Sequence, residues 1–197
     1  HRQFILDQLS SLELARKESG REVWVMAPMI ATAQEALEFA ALARAAGEFK
    51  VGVMVETPSI VMALADLANQ LDFISVGTND LSQYLFAADR MNPSLGALLN
   101  PWQPALIRAL AKIATDSAAG NLSSGVCGES ASDPAFAVVL AGLGFKSVSA
   151  SMSQVGAVRT ALSAVSLEQA KAVAAEALTA TTAEEAKSRV LAALANL

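Results

Sequence analysis

Short apolar runs recur along this chain, separated by stretches of helical periodicity. Val23-Trp24-Val25-Met26, Val51 to Val55 and Phe73 to Val76 are the clearest; Leu122 to Val126 is more polar, and Ser147 to Ser151 has only Val148 as a bulky apolar residue. Continuous apolar runs of this length suit strands covered on both faces, which is the condition of a parallel sheet whose helices lie outside it. Strand and helix alternate about five times, which predicts an α/β fold built on such a sheet. A complete (β/α)8 barrel takes about 250 residues, so roughly 165 residues of alternating units amount to about five-eighths of one. The expectation is therefore the later part of a TIM-type barrel, about five βα units, followed by a C-terminal helical tail.

The helices announce themselves by their ends. Residues 1 to 20 carry Phe4, Ile5, Leu9, Leu12 and Leu14 at roughly helical spacing and stop near Gly20. That segment begins without a cap, and the expectation is that more chain precedes it. Thr32 with Glu35 fits a capping box, and Gly47 sits where a helix would end. Thr57-Pro58 places a hydroxyl before a first-turn proline, predicting a helix to about Gln70 with Ile60, Val61, Leu64 and Leu67 on its apolar face. Pro104 to Ala119, with Leu106, Ile107, Leu110 and Ile113, reads as another, closed by Gly120. Asp133-Pro134 repeats the cap-then-proline start for a helix to about Ala141. From Ser166 the strands cease and two helical segments follow, each opened by a capping box, Ser166 to Gln169 and Thr182 to Glu185. The predicted organisation is a partial barrel over residues 1–165 and a tail over 166–197 packed on its outside.

Bulk properties exclude several function classes. A chain of 197 residues, 53% of them hydrophobic, can fill a sizeable core. Its net charge of -5, with no block of Lys or Arg, offers nothing to nucleic acid or to an anionic membrane surface. The mean hydropathy of +0.41 reflects alanine-rich helices. The longest apolar runs, such as Phe136 to Leu143, fall short of the roughly 20 residues that span a bilayer. The chain does not open on a basic stretch followed by an apolar one, so no secretory signal is expected. Cys127 is the only cysteine, which excludes an internal disulfide and suits a reducing cytoplasm.

Chemically useful side chains stand at the ends of three successive predicted strands: Glu56, then Asn79 and Asp80, then Cys127. In a barrel the carboxyl ends of the strands converge on one mouth, so groups far apart in sequence share a site. Glu56 and Asp80 are hard oxygen donors of the kind that hold Mg²⁺ with the help of water and substrate oxygens. By residue type alone Glu56 is equally a solvated or ion-paired loop charge. Arg90 is a planar fork for phosphate or carboxylate, or a surface arginine paired with Asp89. Thr78-Asn79-Asp80 also reads as a helix cap. Cys127, set between glycines, reads as a buried hydrophobe or as a thiol that a ligand can approach.

Wording narrows these choices. Gly77-Thr78-Asn79-Asp80-Leu81-Ser82-Gln83-Tyr84 with Asp89-Arg90 resembles the signature loop of the phosphoenolpyruvate-utilising enzymes. Gly52-Val53-Met54-Val55-Glu56-Thr57-Pro58 resembles that family's metal-carboxylate strand, Gly125-Val126-Cys127-Gly128-Glu129 its cysteine loop, and Met26-Ala27-Pro28-Met29-Ile30 the strand before them. Order and spacing agree over nearly the whole chain. Within the family, Tyr84 and the Ala-Ala-Asp-Arg link look most like the enzyme I branch of the bacterial sugar phosphotransferase system.

The resemblance implies a TIM-type barrel whose first strands lie upstream, and a reaction that moves a phosphoryl group from phosphoenolpyruvate to a protein histidine and releases pyruvate. It implies Mg²⁺ on Glu56 and Asp80, substrate contacts from Asn79, Asp80 and Arg90, and Cys127 as the acid that protonates the enolate carbon. Ser82, Gln83 and Tyr84 are expected as loop scaffold, Trp24 and Trp102 as packing. It also implies a phosphocarrier protein as partner, met through an N-terminal domain this sequence lacks, and a homodimer. The only histidine is His1, outside any phosphorylation motif, and the family's further substrate arginines belong to earlier strands. Two other readings stay open: a piece of phosphoenolpyruvate synthase or pyruvate phosphate dikinase, or a non-catalytic binding or dimerisation module.

Overall fold

The computed structural model describes residues 2–197. His1, and with it any reading of the single histidine, lies outside the described residues. Five strands, β1 (Trp24–Ala27), β2 (Lys50–Val55), β3 (Phe73–Gly77), β4 (Ser123–Cys127) and β5 (Ser147–Ser149), form one sheet in the order β1-β2-β3-β4-β5. Every neighbouring pair is parallel. That order decides the architecture. A doubly wound sheet reverses its strand order and so puts helices on both faces. Here each crossover steps the same way, and because such crossovers are right-handed the connecting helices gather on one face, as they do outside a barrel. The structure thus has the α/β arrangement of part of a TIM-type barrel, with β1 and β5 as the edges of the sheet among the described residues.

Alternation along the strands separates two faces. Val25, Val53, Ile74, Val76 and Val126 are buried against the helices. The other face carries Trp24, Met26, Met54, Phe73, Ser75 and Cys127 on what would be a barrel's inside. Trp24 is 54% exposed there, its ring tilted 45° against Phe73 at 4.7 Å. The expectations that β1 is buried on both faces and that Trp24 is packing are therefore corrected: among the described residues β1 is an edge strand, and Phe73 covers the Trp24 ring only in part. Trp102, 2% exposed, is packing as expected.

Helix α1 (Arg2–Ser19) precedes β1; α2 (Ala33–Ala46) follows β1, α3 (Pro58–Ala63) follows β2, α4 (Thr78–Leu85) and α5 (Pro104–Ala119) follow β3, and α6 (Pro134–Leu143) follows β4. Asp133 caps α6, its Oδ1 accepting from the Ala135 and Phe136 N–H groups. Thr57 does not cap α3; its hydroxyl donates to the Ile30 carbonyl at 2.7 Å instead. The helix expected to reach Gln70 gives way after Ala63 to a 3₁₀ turn, Leu64–Leu67, although Ile60, Val61, Leu64 and Leu67 are all buried as predicted. On α1 only Leu9 of the predicted apolar face is buried; Phe4, Ile5, Leu12 and Leu14 remain exposed. A further helix, α7 (Val155–Ser163), occupies a stretch for which the sequence suggested nothing.

The two last helices are α8 (Leu167–Thr179) and α9 (Ala183–Ala195). Ser166 and Gln169 close a complete capping box at α8, whereas at α9 Thr182 accepts from Glu185 N–H and the Glu185 carboxylate turns back to Thr181. Ala170, Val173, Ala174 and Ala177 of α8 are buried, and Arg108 of α5 donates to the Ala180 carbonyl at 3.2 Å.

Beneath the sheet, Glu13 of α1 is held by Arg16 through two hydrogen bonds of 2.8 and 2.9 Å, by the Glu48 N–H at 3.2 Å and by Lys17 at 3.4 Å. Arg16 foremost, with the Glu48 N–H and Lys17, outweighs burial and brings the Glu13 carboxyl from an ordinary 4.5 down to about 2. The Thr181 N–H, then Arg189, bring Glu185 to about 2 as well. Both folded values lie below the unfolded one, so their stabilisation is complete above pH 4.5 and is lost as the pH falls from there towards 2. Urea midpoints measured across that window should fall with pH, and less steeply in Glu13→Gln/Glu185→Gln; equal slopes would show that these two networks do not respond.

Candidate active site

β3 delivers Gly77 to the carboxyl edge of the sheet, level with Cys127 at the end of β4. α4 starts immediately, with Gly77 at its N-cap position and no side chain capping it. The capping alternative for Thr78-Asn79-Asp80 therefore does not hold, and Ser82, Gln83 and Tyr84, expected as loop, are helical. Polar groups at the start of α4 are engaged across the sheet instead. The Thr78 hydroxyl donates to the Cys127 carbonyl at 2.9 Å and accepts from the Ser130 hydroxyl at 2.7 Å, with Thr78 and Ser130 both buried. Asn79 Oδ1 accepts from the Glu129 N–H at 3.1 Å. These bonds tie the loop after β3 to the 3₁₀ turn Glu129–Ser132 after β4. Gly128 makes the approach possible: its φ is +102°, and a Cβ there would run into the Thr78 hydroxyl and sit 3.0 Å from Asn79 Oδ1.

Glu56 directly follows β2 and is 3% exposed. Its Oε1 accepts from the Met29 N–H at 2.6 Å, and its Oε2 lies over Gly77, where a Cβ would come within 2.7 Å of it. Among the described residues Glu56 has no ion-pair partner. Buried charge of that kind is costly unless a cation compensates it. Asp80, in the first turn of α4 after the adjacent strand, lies 3.5 Å from Arg90 Nη1. The Arg90 N–H is fixed to the Gln83 side chain at 3.1 Å. Asp89 accepts from the Met91 N–H and not from Arg90, so the pairing weighed for those two neighbours is replaced by the bridge to Asp80.

Cys127 is half-buried. Its thiol donates to the Val76 carbonyl at 3.3 Å, and the Ser75 hydroxyl donates to its sulfur at 3.5 Å. A cleft of about 480 Å³ opens beside the start of α4, lined among others by Asn79, Arg90, Ser82 and Glu129. Glu56, Asp80 and Cys127 do not line it. Asn79 and Arg90 thus share one cleft, while Glu56, Asp80 and Cys127 stand at the ends of three neighbouring strands alongside.

Among the described residues no three His, Cys, Asp or Glu side chains converge into a complete metal cage. Two carboxylates on adjacent strand ends, one of them buried without a cation, nevertheless suit Mg²⁺, which takes one or two protein carboxylates and fills its shell with water and substrate oxygens. Sequence reasoning missed Ser75, Thr78, Ser130 and the Met29 N–H. Their parts depend on strand register, which no local pattern encodes.

Comparison with known proteins identifies the family. The family model described as PEP-utilising enzyme, PEP-binding domain, PEP being phosphoenolpyruvate, matches residues 1–167. The phosphoenolpyruvate-protein phosphotransferase of Streptomyces coelicolor is 41% identical over 195 residues, 98% of this chain and 35% of that protein. The Mycoplasma pneumoniae protein of the same name is 34% identical over 90% of this chain and 32% of its own length. A multiphosphoryl transfer protein of Rhodobacter capsulatus is 36% identical over 87% of this chain and 22% of its own. The chain accordingly spans about a third or less of these curated relatives. Among solved structures, a citrate lyase of Burkholderia xenovorans LB400 shares the fold, with a TM-score of 0.56 at 18% identity over 88% of this chain and 63% of that one. A match over residues 1–167, joined to relatives that align across nearly the whole chain, places this protein in the family of PEP-utilising enzymes, as a PEP-binding domain.

Proposed function

We propose that this chain is the PEP-binding C-terminal portion of a phosphoenolpyruvate–protein phosphotransferase, residues 1–165 forming the later barrel strands and 166–197 a helical tail on the barrel. The observation that carries the reading is Glu56: a buried carboxylate without a cationic partner, at a strand end beside Asp80. Glu56 and Asp80 would hold Mg²⁺. When bound, that ion neutralises phosphate charge, the main requirement of phosphoryl transfer. Asn79, its Oδ1 already engaged by Glu129, has its amide N–H groups left to offer a substrate oxygen. Arg90 is held at its backbone by Gln83, which leaves the guanidinium to shift between Asp80 and a phosphate.

Cys127 completes the reaction at carbon. Once the phosphoryl group has left, the enolate of pyruvate takes a proton from the thiol: the S–H pair stays on sulfur, the enolate π pair forms the new C–H bond, and the oxygen becomes a carbonyl. The phosphoryl group would pass to a histidine in another part of the parent protein and on to a phosphocarrier protein. That parent is read as a cytoplasmic homodimer; among the described residues no helix is long and apolar enough to cross a membrane. Isothermal titration with phosphoenolpyruvate and MgCl₂ tests the site. Saturable heat is expected from the parent chain, abolished in Glu56→Ala/Asp80→Ala and by chelation. A variant that binds equally well would remove Glu56 and Asp80 from the site, and a folded chain that gives no heat would make it a structural part of a site completed by other strands.

A further inference from the structure

Cys127 shares its sulfur with a residue to which nothing above gives a task. Ser75 sits on the inner face of β3, two residues before Gly77, and its register partner on β4 is Gly125, two residues before Cys127. Gly125 has no side chain, and the Ser147 hydroxyl of β5 stands where its Cβ would be; past it, the Ser75 hydroxyl reaches the diagonal neighbour Cys127 at Sγ, 3.5 Å away. The same sulfur donates its own proton to the Val76 carbonyl at 3.3 Å. The two contacts have opposite consequences when the thiol loses its proton. A carbonyl oxygen offers a thiolate no hydrogen bond, whereas a hydroxyl donates to a thiolate more strongly than to a thiol.

We propose that Ser75 is a positioning residue for the proton-transfer step, fixing the sulfur at the end of β4 and stabilising the thiolate left after the proton passes to the substrate carbon. In the forward direction the S–H proton goes to carbon, and the pair left on sulfur accepts the Ser75 hydroxyl hydrogen bond. In reverse the thiolate takes a methyl proton from pyruvate and the Val76 carbonyl again receives the S–H. This rests on the reading of Cys127 as the acid; the contact between Ser75 and the sulfur is independent of it.

The test uses the single cysteine as its own reporter. Iodoacetamide alkylation of the full chain would be timed at one fixed pH for the parent, Ser75→Thr, Ser75→Val and Ser75→Ala, each shown to be folded by circular dichroism. Thr and Val have nearly the same shape, so only a role of the hydroxyl separates them. Ser75→Thr is expected to react within about twofold of the parent, and Ser75→Val and Ser75→Ala about fivefold or more slowly, as befits loss of a hydrogen bond to a charged atom. Equal rates for Thr and Val, or an alanine variant as fast as the parent, would overturn the proposal. Exchange of the methyl protons of pyruvate into D₂O, followed in the same four proteins, should rank them in the same order. Alkylation ranked as stated with no exchange in any protein would defeat the acid reading of Cys127, and with it the proton-transfer half of this proposal, leaving only the link between the two side chains.

Discussion

Replacing Cys127 with alanine should slow exchange of the methyl protons of pyruvate with solvent by a factor on the order of 10² or more, the usual contribution of a positioned acid or base. The carbon of an enolate is a poor acceptor unless a proton is held within reach, and at the end of β4 the Cys127 thiol can both give that proton and take it back. Glu56 is committed to the Met29 N–H, Asp80 is bridged to Arg90, and Asn79 cannot titrate. The fold should tolerate the change, because Cys127 is half-buried and the alanine loses only two sulfur contacts, at 3.3 and 3.5 Å. Deuterium incorporation followed by proton NMR, with circular dichroism as the check on folding, gives the comparison. Equal rates in parent and variant would remove Cys127 from the chemistry and leave the site as one for binding alone.

Local chemistry explains which parts of this molecule could be read in advance. Pro104 to Ala119 with Gly120 beyond it, Asp133-Pro134 at α6 and the Ser166–Gln169 box at α8 are signals that act over three or four residues, and each forms as the sequence suggests. What escaped depends on partners distant in sequence. The helix after Pro58 gives way at Leu64 because Asn69, at a φ of +58°, turns its N–H to the Gly120 carbonyl at 3.0 Å, docking that segment on the end of α5. Thr57 forgoes its cap for a carbonyl 27 residues earlier in the chain. α7 has no side-chain cap and only Val158 is buried, so its apolar stripe is too thin to stand out. On α1 the periodicity was correct as a helix and silent about burial, since an apolar face does not name what covers it. The candidate site divides in the same way. Its charged and sulfur-bearing residues could be picked out by type and by place at strand ends, while the web linking Thr78, Ser130, Asn79 and Ser75 to Cys127 exists only because β3 and β4 pair in one register.

Truncating Phe136 to alanine should cost about 3–5 kcal/mol of stability, the range for removing a fully enclosed aromatic ring. Phe136 is 0% exposed, and its ring meets that of Trp102 edge to face, 4.9 Å between centroids and 87° between planes. The Trp102 indole N–H donates to Asp133 Oδ2 at 3.3 Å, and Asp133 Oδ1 caps the helix on which Phe136 sits. One knot of three side chains therefore fastens the first turn of α6 to the chain entering α5. The 3₁₀ turn Glu129–Ser132 leads straight into that first turn of α6, and it carries the Ser130 hydroxyl and the Glu129 N–H that hold Thr78 and Asn79. Loss of the ring should then loosen the candidate site as well as the core. Phe136→Leu, which keeps most of the volume, should recover the greater part of the stability. Urea unfolding of the two variants gives the first comparison and titration with phosphoenolpyruvate and MgCl₂ the second. A cost below about 1 kcal/mol for Phe136→Ala would mean that neighbouring side chains collapse into the gap. Full stability loss with undiminished binding would mean that the turn after β4 is held without help from α6.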